Sequence, residues 1–189
     1  MTAALEAHAG RSVPGAAVAL ACGVGLLAAR PLLAGDGHPT GTLVAMFAAL
    51  LITGAVWPLG HAGPAAGRRR VVTVLGAGMV AFALGRVLGG GHSPAPFTVH
   101  IVALNSLAAV AEEAFFRRLA YGLLIPGGPA FAIGGSALLF ALVHVTLYGW
   151  WVLPIDLAAG VLLGWQRAAS GRWWVPAVTH VVANVLVVV

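Results

Sequence analysis

Residues 111–120, AEEAFFRRLA, put two glutamates and two arginines inside a run that is otherwise apolar or small from Thr98 to Ile125. Those 28 residues, at about 1.5 Å each, make a helix of roughly 42 Å, longer than the hydrocarbon core of a bilayer. Glu112 and Glu113 fall near its middle. A charge at the centre of a membrane helix costs about 2.5–3.5 kcal/mol, against roughly half a kcal/mol returned by each Leu or Phe. Four charges therefore cost on the order of 10 kcal/mol, which the apolar residues of one helix barely offset. Any fold open to this chain must bring partners or water to that layer.

The surroundings of this stretch are those of a membrane protein. Apolar residues make up 60% of the chain, charged residues only 8%, and the mean hydropathy is +0.98, which excludes an ordinary soluble domain of this length. All ten basic residues are Arg and the net charge is +5. The arginines sit mostly where apolar runs end, so topology explains the charge and no nucleic-acid partner is expected. The expected partners are membrane lipids and a membrane-associated protein or peptide. Cys22 is the only cysteine, which excludes an internal disulfide and a cysteine-rich metal site.

Apolar runs separated by Gly, Pro and Arg predict an all-α, polytopic integral membrane protein of about seven transmembrane helices. Their bounds are Val13–Ala34, Gly41–Gly60, Val71–Gly89, Thr98–Ile125, Ala130–Leu147, Leu153–Ala169 and Trp173–Val189. Residues 1–97 hold three of them and residues 98–189 the four that carry the chemistry. The first run lacks a small-x-small cleavage site and reads as a retained helix. The connections are Asp36-Gly37-His38-Pro39, a loop with Pro64 and Arg68, Arg69 and Arg70, then Gly90–Phe97, the breaker Pro126–Pro129, and turns flanked by Trp pairs. Arg11, Arg68–Arg70, Arg167 and Arg172 fall on one side, Arg30 and Arg86 on the other. This asymmetry predicts a multi-pass protein of the cell membrane with a cytoplasmic N-terminus.

Counting from the Pro126–Pro129 turn puts Glu112, Glu113 and His144 all some 21–25 Å along their helices, level with one another. His180 and Asn184 are four apart, share a face of the last helix and lie near the same depth. On the charged helix Glu113 and Arg117 form an i, i+4 pair, while Glu112, with Asn105 and Phe116, occupies another face. Glu113 is thus neutralised and Glu112 left without a counter-ion, as a group that can take and return a proton. His144 supplies a second proton-handling group, and His180 and Asn184 supply donors for a developing oxyanion. These groups suit acyl transfer to water.

The motifs are E-E-x-x-x-R at Glu112, Glu113 and Arg117, F-x-x-x-H at Phe140 and His144, and H-x-x-x-N at His180 and Asn184. In this order they resemble the CAAX prenyl protease and bacteriocin-processing (CPBP) family of intramembrane endopeptidases. The resemblance covers about Thr98 to Val189 and includes the G-x-L-L-G-W run at Gly160–Trp165. It implies that Glu112 and His144 activate water, that His180 and Asn184 stabilise the tetrahedral intermediate, and that Glu113 and Arg117 support them.

Family members have also been described as metalloproteases. A zinc-dependent hydrolase with the same residues is therefore one alternative, although the expected reaction uses no metal ligands and no cofactor; each histidine comes from a different helix and nothing resembles H-E-x-x-H. A non-catalytic membrane protein that binds a partner in the same cavity is another. A proton-coupled transporter fits less well, because the first half has no matching charged segment. Two residues depart from the family pattern: Arg118, where a small residue is more usual, and Asp156, an acid in the sixth helix. Arg118 is expected to snorkel or to pair with Asp156. His8, His38, His61, His92 and His100 match no motif.

Overall fold

The computed structural model describes residues 2–33, 39–57, 65–89 and 98–188. Among them every element is helical: α1 (Thr2–Ala28), α2 (Arg30–Leu33), α3 (Pro39–Val56), α4 (Arg68–Leu88), α5 (Val99–Glu113), a π-helical segment (Ala114–Ala120), α6 (Tyr121–Leu124), a 3₁₀ turn (Ile125–Gly127), α7 (Pro129–Tyr148), a 3₁₀ turn (Trp150–Val152), α8 (Leu153–Ser170) and α9 (Trp174–Val188). The all-α expectation holds. Asp36, Gly37, His38, His61, Pro64, His92 and the rest of the Gly90–Phe97 loop lie outside the described residues, as do the side chains of His8 and Arg11.

The predicted fourth helix is continuous from Val99 to Gly127, so the four charges do sit within one long span. By length and composition three helices can cross a membrane among the described residues: Arg68–Leu88, Val99–Gly127 and Pro129–Tyr148. Val13–Ala28, Thr40–Val56 and Trp174–Leu186 are apolar but shorter. α8 has the length, but Asp156, Gln166 and Arg167 dilute its apolar character. Arg68–Arg70 is not a loop: Gly67 is extended at φ −64° and ψ 160°, and the arginines form the first turn of α4, as good helix formers can. α7 and α8 stop at Gly149 (φ 87°) and Gly171 (φ 67°), left-handed positions that residues with a Cβ avoid.

Exposure departs from that of a soluble protein. Val18, Leu32, Ile52, Val80, Val87, Leu88 and Phe131 are exposed, while Glu112, Glu113, Arg117, Ser136, Gln166, Thr179 and His180 are buried. Apolar side chains outside and polar ones inside is the arrangement a hydrocarbon solvent selects. α5 packs against α3 and α9, α7 against α8, and the π segment against α3. The close approaches need small residues. A Cβ on Gly160 would meet the backbone of Ala137, and one on Gly54 would meet the backbone of Ala114.

The π segment gives the charged helix its special character. AFFRRLA holds no Gly or Pro, yet its turn is wider than an α turn, and such segments free backbone groups that other side chains must satisfy. Arg167 does this from α8, its Nε donating to the carbonyl of Arg117 at 3.0 Å, with its guanidinium over the Tyr121 ring. Arg167 is therefore an interior packing group and not the interfacial charge that the arginine count assumed. Arg118 donates from Nη1 to the carbonyl of Gly54 at 2.6 Å. It does not pair with Asp156, because the wide turn directs it toward α3.

Candidate active site

Glu112 and Glu113 end α5 and are both buried, immediately before the π segment. Their surroundings differ as the sequence suggested. Glu113 is fully enclosed, with Oε2 3.2 Å from Arg117 Nε and Oε1 3.0 Å from His180 Nδ1. A carboxylate only accepts, so His180 donates through Nδ1. Arg117, also fully enclosed, donates from Nη1 to the Ser136 carbonyl at 3.3 Å and lies over the Phe140 ring at 5.2 Å. This pair joins the charged helix to α7 and α9.

Among the described residues Glu112 has no hydrogen-bond partner, but it faces three nitrogens. Arg30 Nη1 is 3.9 Å from Oε1, and the Nε2 atoms of His144 and His180 are each 4.0 Å from Oε2. The expectation that Glu112 lacks a cation is corrected here: Arg30, counted by sequence as an interfacial charge, reaches inward over the Phe47 ring, 5.0 Å from its centroid. No sequence signal separates it from an arginine that merely anchors a helix end. Together Leu27, Arg30, Glu112, Val143, His144 and Leu147 line a small cavity.

His144 lies one turn after Phe140 on α7 and donates from Nδ1 to the Phe140 carbonyl at 2.8 Å. That fixes its tautomer when neutral and turns the Nε2 lone pair toward Glu112. Phe140 stands between the catalytic candidates, with its ring 4.5 Å from His144 and 5.7 Å from His180, and edge-on to Phe116. It sets the spacing of the two imidazoles. Asp156 reaches the opposite side of His144, with Oδ2 3.9 Å from Nδ1.

Five of the predicted residues thus meet: Glu112, Glu113, Arg117, His144 and His180. Asn184 stands slightly apart. Its Nδ2 donates to the Asn105 carbonyl at 3.2 Å, one helical turn beyond His180, which leaves one amide proton uncommitted. His100 lines a separate apolar groove with Thr40, Val44 and Leu104 and takes no part in the cluster.

Two imidazoles and a carboxylate are a suitable donor set for zinc, but the spacing is not. Tetrahedral ligands about 2.0–2.1 Å from a metal lie roughly 3.3 Å from one another, whereas both nitrogens are 4.0 Å from Glu112 Oε2. Among the described residues no group of three His, Cys, Asp or Glu side chains is disposed to hold a metal ion. A water suits the gap better, since one oxygen about 2.8 Å from each of two groups spans 4.0 Å.

The family model described as type II CAAX prenyl endopeptidase, Rce1-like, matches residues 93–186. That stretch holds all three motifs. A search of curated proteins and a search of solved structures each find no match.

Proposed function

The chain belongs to the type II CAAX prenyl endopeptidase Rce1-like family, and from that we propose that it hydrolyses a peptide bond of a membrane-associated protein or peptide within the bilayer, using Glu112 and His144 to activate water. The observation that carries the reading is the gap between Glu112 Oε2 and the two Nε2 atoms, 4.0 Å on either side, which suits one shared water. The water oxygen attacks the scissile carbonyl and its proton passes to Glu112. His180, held through Nδ1 by Glu113, and the free amide proton of Asn184 face the developing oxyanion, an interaction worth about 3–4 kcal/mol per donor in the barrier. As the C–N bond breaks, His144 gives a proton to the leaving nitrogen, and the proton on Glu112 restores it.

In this reading Glu113 and Arg117 act as supporting structure and no metal is needed. The seven-span topology with a cytoplasmic N-terminus is part of the same proposal. The family's name makes a prenylated peptide with a C-terminal CAAX sequence the first probe. The purified chain in nanodiscs should cleave an internally quenched farnesylated peptide of this kind, and Glu112→Gln should cleave it at least 100-fold more slowly at unchanged abundance. Stoichiometric zinc whose removal by a chelator abolishes cleavage, and whose return restores it, would transfer the chemistry to a metal.

A further inference from the structure

Asp156 enters the site from α8, a helix to which the three motifs assign nothing. We propose that Asp156 is the charge partner of His144, a positioning residue that lets this imidazole carry the proton required by the leaving amine. The inference rests on the reading of His144 as the proton donor.

Geometry supplies the first argument. Asp156 Oδ2 is buried, has no hydrogen-bond partner among the described residues and lies 3.9 Å from His144 Nδ1. An acid in the first turn of a helix interacts favourably with the helix dipole, but that role is met equally by a carboxylate in water. It does not require an oxygen buried against an imidazole. The nearby arginines are engaged elsewhere: Arg30 at Glu112, Arg117 at Glu113, Arg118 at the Gly54 carbonyl and Arg167 at the Arg117 carbonyl.

Charge balance supplies the second. In the cluster Arg30 and Arg117 match Glu112 and Glu113, so ionised Asp156 leaves one negative charge over. A carboxylate oxygen buried without a partner is costly, and an imidazolium beside it lowers that cost. His144 faces Asp156 and otherwise donates only to the neutral Phe140 carbonyl. With Asp156 beside Nδ1, the proton on Nε2 points into the gap shared with Glu112. It is given up when the C–N bond breaks and is returned from Glu112, so the cycle closes with no other reactant than water.

The test uses the full chain in nanodiscs with ¹⁵N-labelled histidine, the His144 signals being assigned by their loss in His144→Gln. Compared at one pH, Asp156→Asn should move the His144 pair toward the neutral pattern relative to the wild type, Asp156→Glu should return it, and the histidines outside the site should not change. On the farnesylated peptide Asp156→Asn should lower kcat by at least about 10- to 100-fold, the range for outer-shell partners of metal-bound histidines, with KM within about twofold and abundance unchanged. Asp156→Glu should recover part of the rate. A His144 spectrum indifferent to Asp156→Asn, or altered equally by Asn and Glu, overturns the pairing. Cleavage that survives Glu112→Gln instead overturns the catalytic reading, while the spectra still report on the pair.

Discussion

Arg117→Ala should be one of the most damaging single changes in the chain that leave every proposed proton carrier in place. Arg117 is fully enclosed and has three partners: Glu113 Oε2 at 3.2 Å, the Ser136 carbonyl at 3.3 Å and the face of Phe140 at 5.2 Å. Removing one member of a buried ion pair costs about 3–5 kcal/mol, because the other charge is left without compensation. Glu113 keeps His180 at 3.0 Å, which favours the lower end. The lost contact with Phe140 adds about 0.5–2 kcal/mol. A net loss of about 4 kcal/mol is nearly three decades in a folding equilibrium and a large share of the usual margin. Quantitative blotting of membranes and thermal melts of detergent-extracted protein should therefore show Arg117→Ala strongly depleted and melting early. Glu113→Gln combined with Arg117→Met should recover much of the loss, since neither side chain then carries a buried charge. Arg117→Ala protein as abundant and as heat-stable as the wild type, or a double variant no better than the single one, would refute the structural role given to the pair.

Two other outcomes follow from packing and charge. Gly54→Ala should lower abundance, with a cost of about 1–3 kcal/mol, because its Cβ would meet the backbone of Ala114; melting of the purified variant reads it, and Gly25→Ala, which meets nothing within 4 Å, should be silent. With Cys22 removed, a cysteine at Ser93 should react with an impermeant reagent in intact cells and one at Ala66 should be spared, as the arginine asymmetry predicts; the reverse pattern would invert the topology.

What the sequence made legible was local, or could be counted from a marked turn. Glu113 and Arg117 are four apart, and spacing alone assigned the pair that lies at 3.2 Å. The level of Glu112 with His144 came from counting residues on either side of Pro126–Pro129, and their side chains do meet across 4.0 Å. The π segment was not legible, because AFFRRLA has the composition of an ordinary helix and its widening is imposed by tertiary contacts. That hidden change of phase also misdirected Arg118, which a regular helix count allowed toward Asp156 and the structure turns to Gly54. Arg30 was missed for a different reason. Its local context is that of a helix-end anchor, and its partner lies 82 residues further along the chain, a relation that no periodicity encodes.

Arg30, Gly23 and Gly54 lie before the stretch that the family model matches, yet each fits against the charged helix: Arg30 at Glu112, Gly23 at Phe115 and Gly54 at Ala114. The edge of recognisable similarity is therefore not a seam in the molecule. If the first helices were cut away, Phe115 would lose a wall, Arg118 its carbonyl acceptor and Glu112 its only arginine within 4 Å among the described residues. The motif-bearing half is one side of a joint whose other side supplies small residues where backbones touch and one positive charge beside Glu112.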